Sequence, residues 1–257
     1  MKLTFLGNGD SMGTPRVYCD CAVCEEARGT GVNARLRSSL LLEEEGQLPL
    51  LLDCGPDWRA QMEAIGMRGV SRALITHAHF DHIGGLTEWA DACRWREVKG
   101  RLYAPAEVIG EIVSRFPWIS KQLEMTANDE GMEYGGWKIA PWRVNHGKNG
   151  YSYAYRFDRA ADGTAWAYCP DAIRLTKEQK KPLEGLSLLV LGTSFAEEPF
   201  PMDTRSVYDM KEGLALADEL RPQRVVFTHM SHDIDSRRDY GLPAHVALSG
   251  TGMRLTV

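Results

Sequence analysis

The stretch Leu74-Ile75-Thr76-His77-Ala78-His79-Phe80-Asp81-His82-Ile83-Gly84-Gly85-Leu86 decides the fold. An apolar strand end runs into three histidines and an aspartate within six residues, and a glycine pair then opens a helix. Imidazole nitrogens and carboxylate oxygens are donors that divalent zinc and manganese prefer. On extended backbone alternate side chains share a face, so His77 and His79 converge on one ion. Asp81 and His82 fall where the chain turns and serve a second ion a few ångströms away. A His-x-His pair is common by chance; His-x-His-x-Asp-His behind a buried strand is not.

This spacing resembles the signature motif of the metallo-β-lactamase superfamily. The resemblance implies an α/β (α+β) fold, a four-layer αββα sandwich with its metals at one edge of the two sheets. It also implies a His, an Asp and a His downstream, each after a strand. His146 follows the apolar run Trp137–Val144, Asp171 follows Thr164–Tyr168, and His229 follows Val225–Thr228, in the implied order. In this pattern Asp171 bridges two ions, with His77, His79 and His146 on one and Asp81, His82 and His229 on the other. Four apolar strands that each end in a ligand are how rigid elements preorganise a polar site.

With 257 residues, 44% of them hydrophobic and 25% charged, the chain reads as one globular domain over 1–257. A net charge of −5 gives no general attraction to nucleic acid or anionic membrane. Arg94, Arg96, Lys99 and Arg101 form a local basic cluster that reads as a solvated helix end. No apolar run approaches the roughly 18 residues that span a bilayer, and the N-terminus lacks the apolar core and cleavage site of a signal peptide. The expected compartment is the cytoplasm.

The opening strand, Lys2–Leu6, ends in Gly7-Asn8-Gly9-Asp10-Ser11-Met12-Gly13-Thr14-Pro15. Its glycines do not match the dinucleotide fingerprint and no apolar helix follows, so a tight turn beside the metals is the better reading. Residues 16–35 form a polar insertion with Cys19, Cys21 and Cys24, too close together for a disulfide framework; in a reducing compartment they read as metal ligands. Three thiolates lack one ligand of tetrahedral zinc. His232, three residues beyond His229, supplies it in one reading and lies at the surface in the other. Cys54, Cys93 and Cys169 read as small buried hydrophobes. Asp53, at the end of the strand Leu50–Asp53, either buttresses a ligand histidine or is an ordinary turn residue.

The Cys-x-Cys-x-x-Cys insertion, the glycine-rich start and Thr228-His229-Met230-Ser231-His232 together resemble the PhnP-type phosphodiesterases of phosphonate metabolism. The resemblance spans nearly the whole chain. It implies a metal-dependent phosphodiesterase acting on small, cyclic phosphodiesters through a hydroxide activated by two metals. The implied cofactors are two divalent ions, zinc or manganese, at the active site, and one structural zinc on Cys19, Cys21, Cys24 and His232. It also implies a homodimer, with no membrane and no stable nucleic-acid partner.

That family carries a histidine upstream of the last motif as an acid, and this chain reads Met202-Asp203-Thr204-Arg205-Ser206-Val207-Tyr208-Asp209 there. Arg205, Lys148 and His245 therefore stand as candidates for binding phosphate or protonating the leaving oxygen, with Asp81 as a catalytic carboxylate and ligand. Hydrolysis of a thioester or lactone is the alternative on the same metals. A flavodiiron-type oxidoreductase is disfavoured because His79 stands where those proteins carry glutamate. A transfer-RNA 3′-processing nuclease would need a basic surface and an RNA-gripping arm, neither of which is visible. A cofactor-binding protein like PqqB characteristically lacks part of the ligand set, which is complete here.

Overall fold

Fourteen strands form two seven-stranded sheets in the computed structural model, which describes residues 1–257. The first sheet runs, edge to edge, β14 (Arg254–Thr256), β1 (Lys2–Gly7), β2 (Ser39–Glu43), β3 (Leu50–Leu52), β4 (Arg72–Leu74), β5 (Gly100–Ala104) and β6 (Leu123–Ala127). The second runs β13 (Val246–Leu248), β12 (Val225–Thr228), β11 (Leu188–Gly192), β10 (Thr164–Cys169), β9 (Tyr151–Arg159), β8 (Trp137–Asn145) and β7 (Met132–Tyr134).

The central strands β2, β3, β11 and β12 read as apolar runs because both faces of each sheet are covered there. Leu40 and Leu42 point between the sheets, where they meet Phe5, Trp137, Phe157 and Trp166. Leu41 points the other way, into a cluster with Trp58, Met62, Trp89 and Ile112. These come from helices α2 (Trp58–Ala64), α4 (Leu86–Trp95) and α5 (Ala106–Arg115). On the second sheet Leu188 and Val190 face inward, while Leu189 and Leu191 pack with Met210 and Leu216 of α7 (Met210–Leu220). Each fully buried leucine contributes on the order of 2 kcal/mol by leaving water. The result is the four-layer αββα sandwich.

The sequence reading misses the edges. Strands β13 and β14 are three residues each and partly exposed, so they carry no alternation to detect. Strands β6 and β7 lie in the mixed segment 116–134, which extends one edge of each sheet. The insertion 16–35 holds a helix, α1 (Ala22–Gly29), whose first turn the Cys21 thiol caps by accepting from the Cys24 N–H. Single turns α3 (Phe80–Ile83) and α6 (Lys177–Lys180) complete the helices. No helix is long and apolar enough to cross a membrane.

Strand direction creates the site. Strands β10, β11 and β12 are parallel, and β8 is antiparallel to β9, which is antiparallel to β10. The C-terminal ends of β8, β10 and β12 therefore share one edge, where His146, Asp171 and His229 follow within two residues. From the first sheet, β4 delivers Thr76 and His77 to the same edge.

Candidate metal centre

Seven side chains from four strand ends meet at this edge. The donor atoms of His77, His79 and His146 lie within 4.8 Å of one another, as do those of Asp81, His82 and His229, and those of His77, His82 and Asp171. Asp171 stands between the groups, with its oxygens 2.9 Å from His82 Nε2, 3.3 Å from His229 Nε2 and 3.8 Å from His146 Nε2.

The rings are held from behind. Asp53 Oδ2 lies 2.8 Å from His82 Nδ1, Thr76 Oγ1 lies 3.0 Å from His77 Nδ1, and the Ser206 carbonyl lies 2.8 Å from His146 Nδ1. Fixing one ring nitrogen leaves the other free as a ligand. Asp53 thus contacts a histidine of the cluster, as the buttress reading expects.

The residues fit metal ions. His82 Nε2 and Asp171 Oδ2 are buried and 2.9 Å apart, close enough to attract by charge but too poorly aligned for a good hydrogen bond. Two such atoms aimed at one point suit a shared cation rather than each other. The electrostatics agree. Burial pushes His77 well below the ordinary imidazole range, and the His82 charge adds to the effect. Burial likewise lowers His79 and His146. Burial opposes the charge on His229 too, but Asp171 and Asp81 outweigh it and raise the pKa to about 9. His82 is raised well above its usual range because Asp81, Asp53 and Asp171 overcome the same penalty. Desolvation works against the carboxylates as well, but the histidine charges hold Asp81 and Asp171 well below the usual range. A divalent ion entering such a cluster displaces protons.

The cavity above the cluster has a volume of about 160 Å³. Beyond the cluster its walls are Asp10, Ser11, Asn149, Ser194, Phe195, Ser206 and Val207. Asp10 and Ser11 come from the glycine-rich loop after β1, which reaches the site through Asp10 N–H to the Met230 carbonyl at 3.0 Å. The hydroxyl and amide groups escape sequence reading because isolated serines and asparagines carry no periodic signal. Only their position beside His146 and at the end of β11 marks them.

Two expected site residues, Arg205 and His245, lie outside the cavity lining. The Arg205 guanidinium is buried and bonded to carboxylates, 3.0 Å from Glu198, 3.2 Å from Asp209 and 2.5 Å from Glu212. It ties down the start of α7, where Asp209 and Glu212 form the capping box. His245 is exposed, beside Asp218 and Arg221, and its carbonyl accepts the Val225 N–H at the start of β12. His229 follows the other end of that strand. Lys148 is exposed near the mouth, outside the cavity lining, with its N–H donated to the Arg205 carbonyl at 3.1 Å.

A second group brings Cys19, Cys21, Cys24 and His232 within 4.8 Å of one another. His232 Nδ1 lies 3.3 Å from Cys24 Sγ and 3.6 Å from Cys21 Sγ, and all three cysteines are free. Three sulfurs and one imidazole fit a closed tetrahedral zinc. Cys54, Cys93 and Cys169 are buried in the apolar clusters.

Residues 49–230 match the family model of the beta-lactamase superfamily domain. A solved structure of a diphosphatase from the PhnP family is similar over 100% of this chain and 97% of its own, with a TM-score of 0.86 and 30% identity. Zinc-bound PqqB from Methylobacterium extorquens has a TM-score of 0.78 over 100% of both chains, at 20% identity, a likeness of fold. An octanoyltransferase of Porphyromonas gingivalis is 31% identical over 158 residues, 58% of this chain and 31% of that protein. The chain spans about a third of the length of the first curated relatives it matches.

Proposed function

The chain belongs to the beta-lactamase superfamily, and from that premise we propose that it is a metal-dependent hydrolase of small phosphodiesters. The observation that carries the reading is the convergence of seven donor side chains in overlapping groups whose ligand atoms lie within 4.8 Å of one another, five of them lining one cavity. In this reading His77, His79 and His146 hold one divalent ion, Asp81, His82 and His229 the other, and Asp171 bridges them. Cys19, Cys21, Cys24 and His232 hold a structural zinc. Divalent ions so held supply Lewis acidity and charge neutralisation for hydrolysis.

The chain's own residues do the remaining work. Asp53 and Thr76 orient His82 and His77, so the donors keep their geometry before any substrate arrives. Ser11, Ser206 and Asn149 offer hydrogen bonds to the oxygens of a bound ester, and Phe195 and Val207 limit its size. A cavity of about 160 Å³ suits a small ester better than a folded nucleic acid. The similar PhnP-family protein is named a diphosphatase, which supports phosphorus as the centre attacked.

A second reading, thioester hydrolysis, is favoured by the octanoyltransferase likeness, since acyl transfer commonly passes through thioesters. One experiment separates the two. Bis-p-nitrophenyl phosphate and an acyl thioester are assayed on one metal-analysed preparation, beside His79→Ala. Diester turnover lost in His79→Ala supports the first reading. Thioester turnover without diester turnover replaces it with the second.

A further inference from the structure

The metal cavity is narrow, and a larger apolar groove lies on the other side of its wall. The groove has a volume of about 460 Å³, against about 160 Å³ for the cavity. Its apolar lining is Ala196, Met210, Leu214, Ala215, Tyr240 and Leu242. Lys211, Leu214, Ala215 and Asp218 fall on one face of α7, and the small Ala215 side chain leaves room above that face. Leu214, Tyr240 and Leu242 are half-buried and pack on the outer core of the second sheet, so the floor is fixed. Small-molecule sites have this size, roughly 300–1,000 Å³, and this apolar character. Segment 194–198 is the wall between the two. Phe195 lines the cavity, and Ala196, the next residue, lines the groove. Helix α7 holds both, with Met210 N–H donated to the Phe195 carbonyl at 2.8 Å and Lys211 N–H to the Ala196 carbonyl at 3.3 Å. The Phe195 ring meets the exposed Phe200 ring edge-on, centroids 6.0 Å apart, so apolar surface continues past the cavity wall. Charge selects the occupant. Lys211 pairs with Glu197 at 2.8 Å and Asp218 is acidic, so an anionic head group is repelled from the groove and an uncharged chain is not.

We propose that the groove is a second subsite, which takes an uncharged alkyl chain of the substrate while the ester end lies in the metal cavity. The inference rests on the hydrolase reading above and extends it to the part of the substrate beyond the ester. The phosphoryl or acyl group stays among the polar side chains of the cavity. The chain crosses the wall beside Phe195 and leaves water against Leu214, Tyr240 and Leu242. Each methylene that leaves water strengthens binding about threefold to fourfold. The chain is buried alike in the ground and transition states, so the gain falls on KM and kcat changes little.

The test is a chain-length series on the metal-loaded protein. One arm uses p-nitrophenyl alkyl phosphodiesters from methyl to octyl; the other uses acyl thioesters from acetyl to octanoyl. The expected result, in the arm that turns over, is kcat/KM rising about threefold per methylene through KM once the chain passes the wall. Two variants at Ala215, which is exposed on α7, probe the groove without disturbing the core. Ala215→Trp fills it and Ala215→Glu places a charge in it, and both should flatten the series. Turnover that is indifferent to chain length, or a series that both variants retain, overturns the proposal and leaves the hydrolase reading standing. A dimer that Ala215→Trp dissociates in sedimentation, with no chain-length effect on turnover, also overturns it and gives the groove to a second copy of the chain. No turnover at any length in either arm overturns both readings.

Discussion

Asp53 Oδ2 stands 2.8 Å from His82 Nδ1, and both side chains are completely or almost completely shielded from water. The same carboxylate accepts the Thr76 N–H at 2.8 Å and lies 3.0 Å from Thr76 Oγ1, which itself lies 3.0 Å from His77 Nδ1. One aspartate therefore sets the orientation of a histidine in each half of the cluster. It does so from a left-handed backbone position, φ +58°, which a non-glycine residue adopts at a cost. Asp53→Asn keeps the shape and removes the charge. Metal affinity is expected to fall about 10–100-fold, read by competition with a chelator, with the circular dichroism spectrum unchanged. Unaltered affinity would mean that this carboxylate serves the fold alone.

His79 is the cluster's more open member, with its Nδ1 2.9 Å from His77 Nε2 and 3.3 Å from His146 Nε2. His79→Ala is expected to abolish turnover while shifting stability by less than about 1 kcal/mol. On the proposed reading, metal analysis of the same preparation should show loss from the cluster with the metal proposed for the Cys19, Cys21, Cys24 and His232 group retained. Full activity in the variant would remove His79 from the metal set.

Arg205 and His245 separate structure from catalysis. Arg205→Met leaves Glu198, Asp209 and Glu212 without their shared cation in a mostly buried position. A loss of about 3 kcal/mol is expected, in line with removing one partner of a buried ion pair. The surviving folded fraction should bind metal normally. His245→Ala should change neither stability nor turnover measurably. A fall in kcat with His245→Ala would restore it as a site residue.

The contrast between these residues and the ligands shows what a sequence carries. His77, His79, Asp81 and His82 are legible because backbone periodicity alone puts them together. Asp171 and His229 are legible because each follows an apolar strand buried on both faces, and His146 because it ends a strand that alternates between buried and exposed positions. Arg205 misleads because its partners, Glu198, Asp209 and Glu212, lie seven residues before, four after and seven after it, and no local pattern announces that they enclose it. His245 misleads because a histidine left over from the motifs carries no direction. The cysteine group is legible only in part, since His232 joins Cys24 across 208 residues.

Cys24 also connects the two metal groups mechanically. The Arg16 N–H donates to Cys24 Sγ at 3.4 Å, while the Arg16 guanidinium holds Asp10 in the cavity wall. Cys24→Ser is expected to lose about one of three metals per chain and to lower Tm. KM should rise because the wall loosens, and kcat should change little because the other seven donors remain. An unchanged zinc content would refute the four-ligand structural site.

Gly192 closes β11 against the turn that carries Asp171. A Cβ placed there would sit 1.6 Å from the Pro170 carbonyl oxygen and 2.6 Å from its carbon, both rigid backbone atoms. Gly192→Ala therefore forces the Pro170-Asp171 peptide away and moves the bridging carboxylate with it. The expected cost is about 1–3 kcal/mol for overpacking, with weaker metal binding by the cluster. Gly110 in α5 is the control, since a Cβ there meets nothing within 4 Å. Gly110→Ala should stabilise the protein by roughly 0.5–1 kcal/mol through helix propensity, leaving metal content untouched. Calorimetry and metal analysis on the pair decide the point: Gly192→Ala must lose both stability and cluster metal. Loss of stability with full cluster occupancy would count against the proposed bridging role of Asp171.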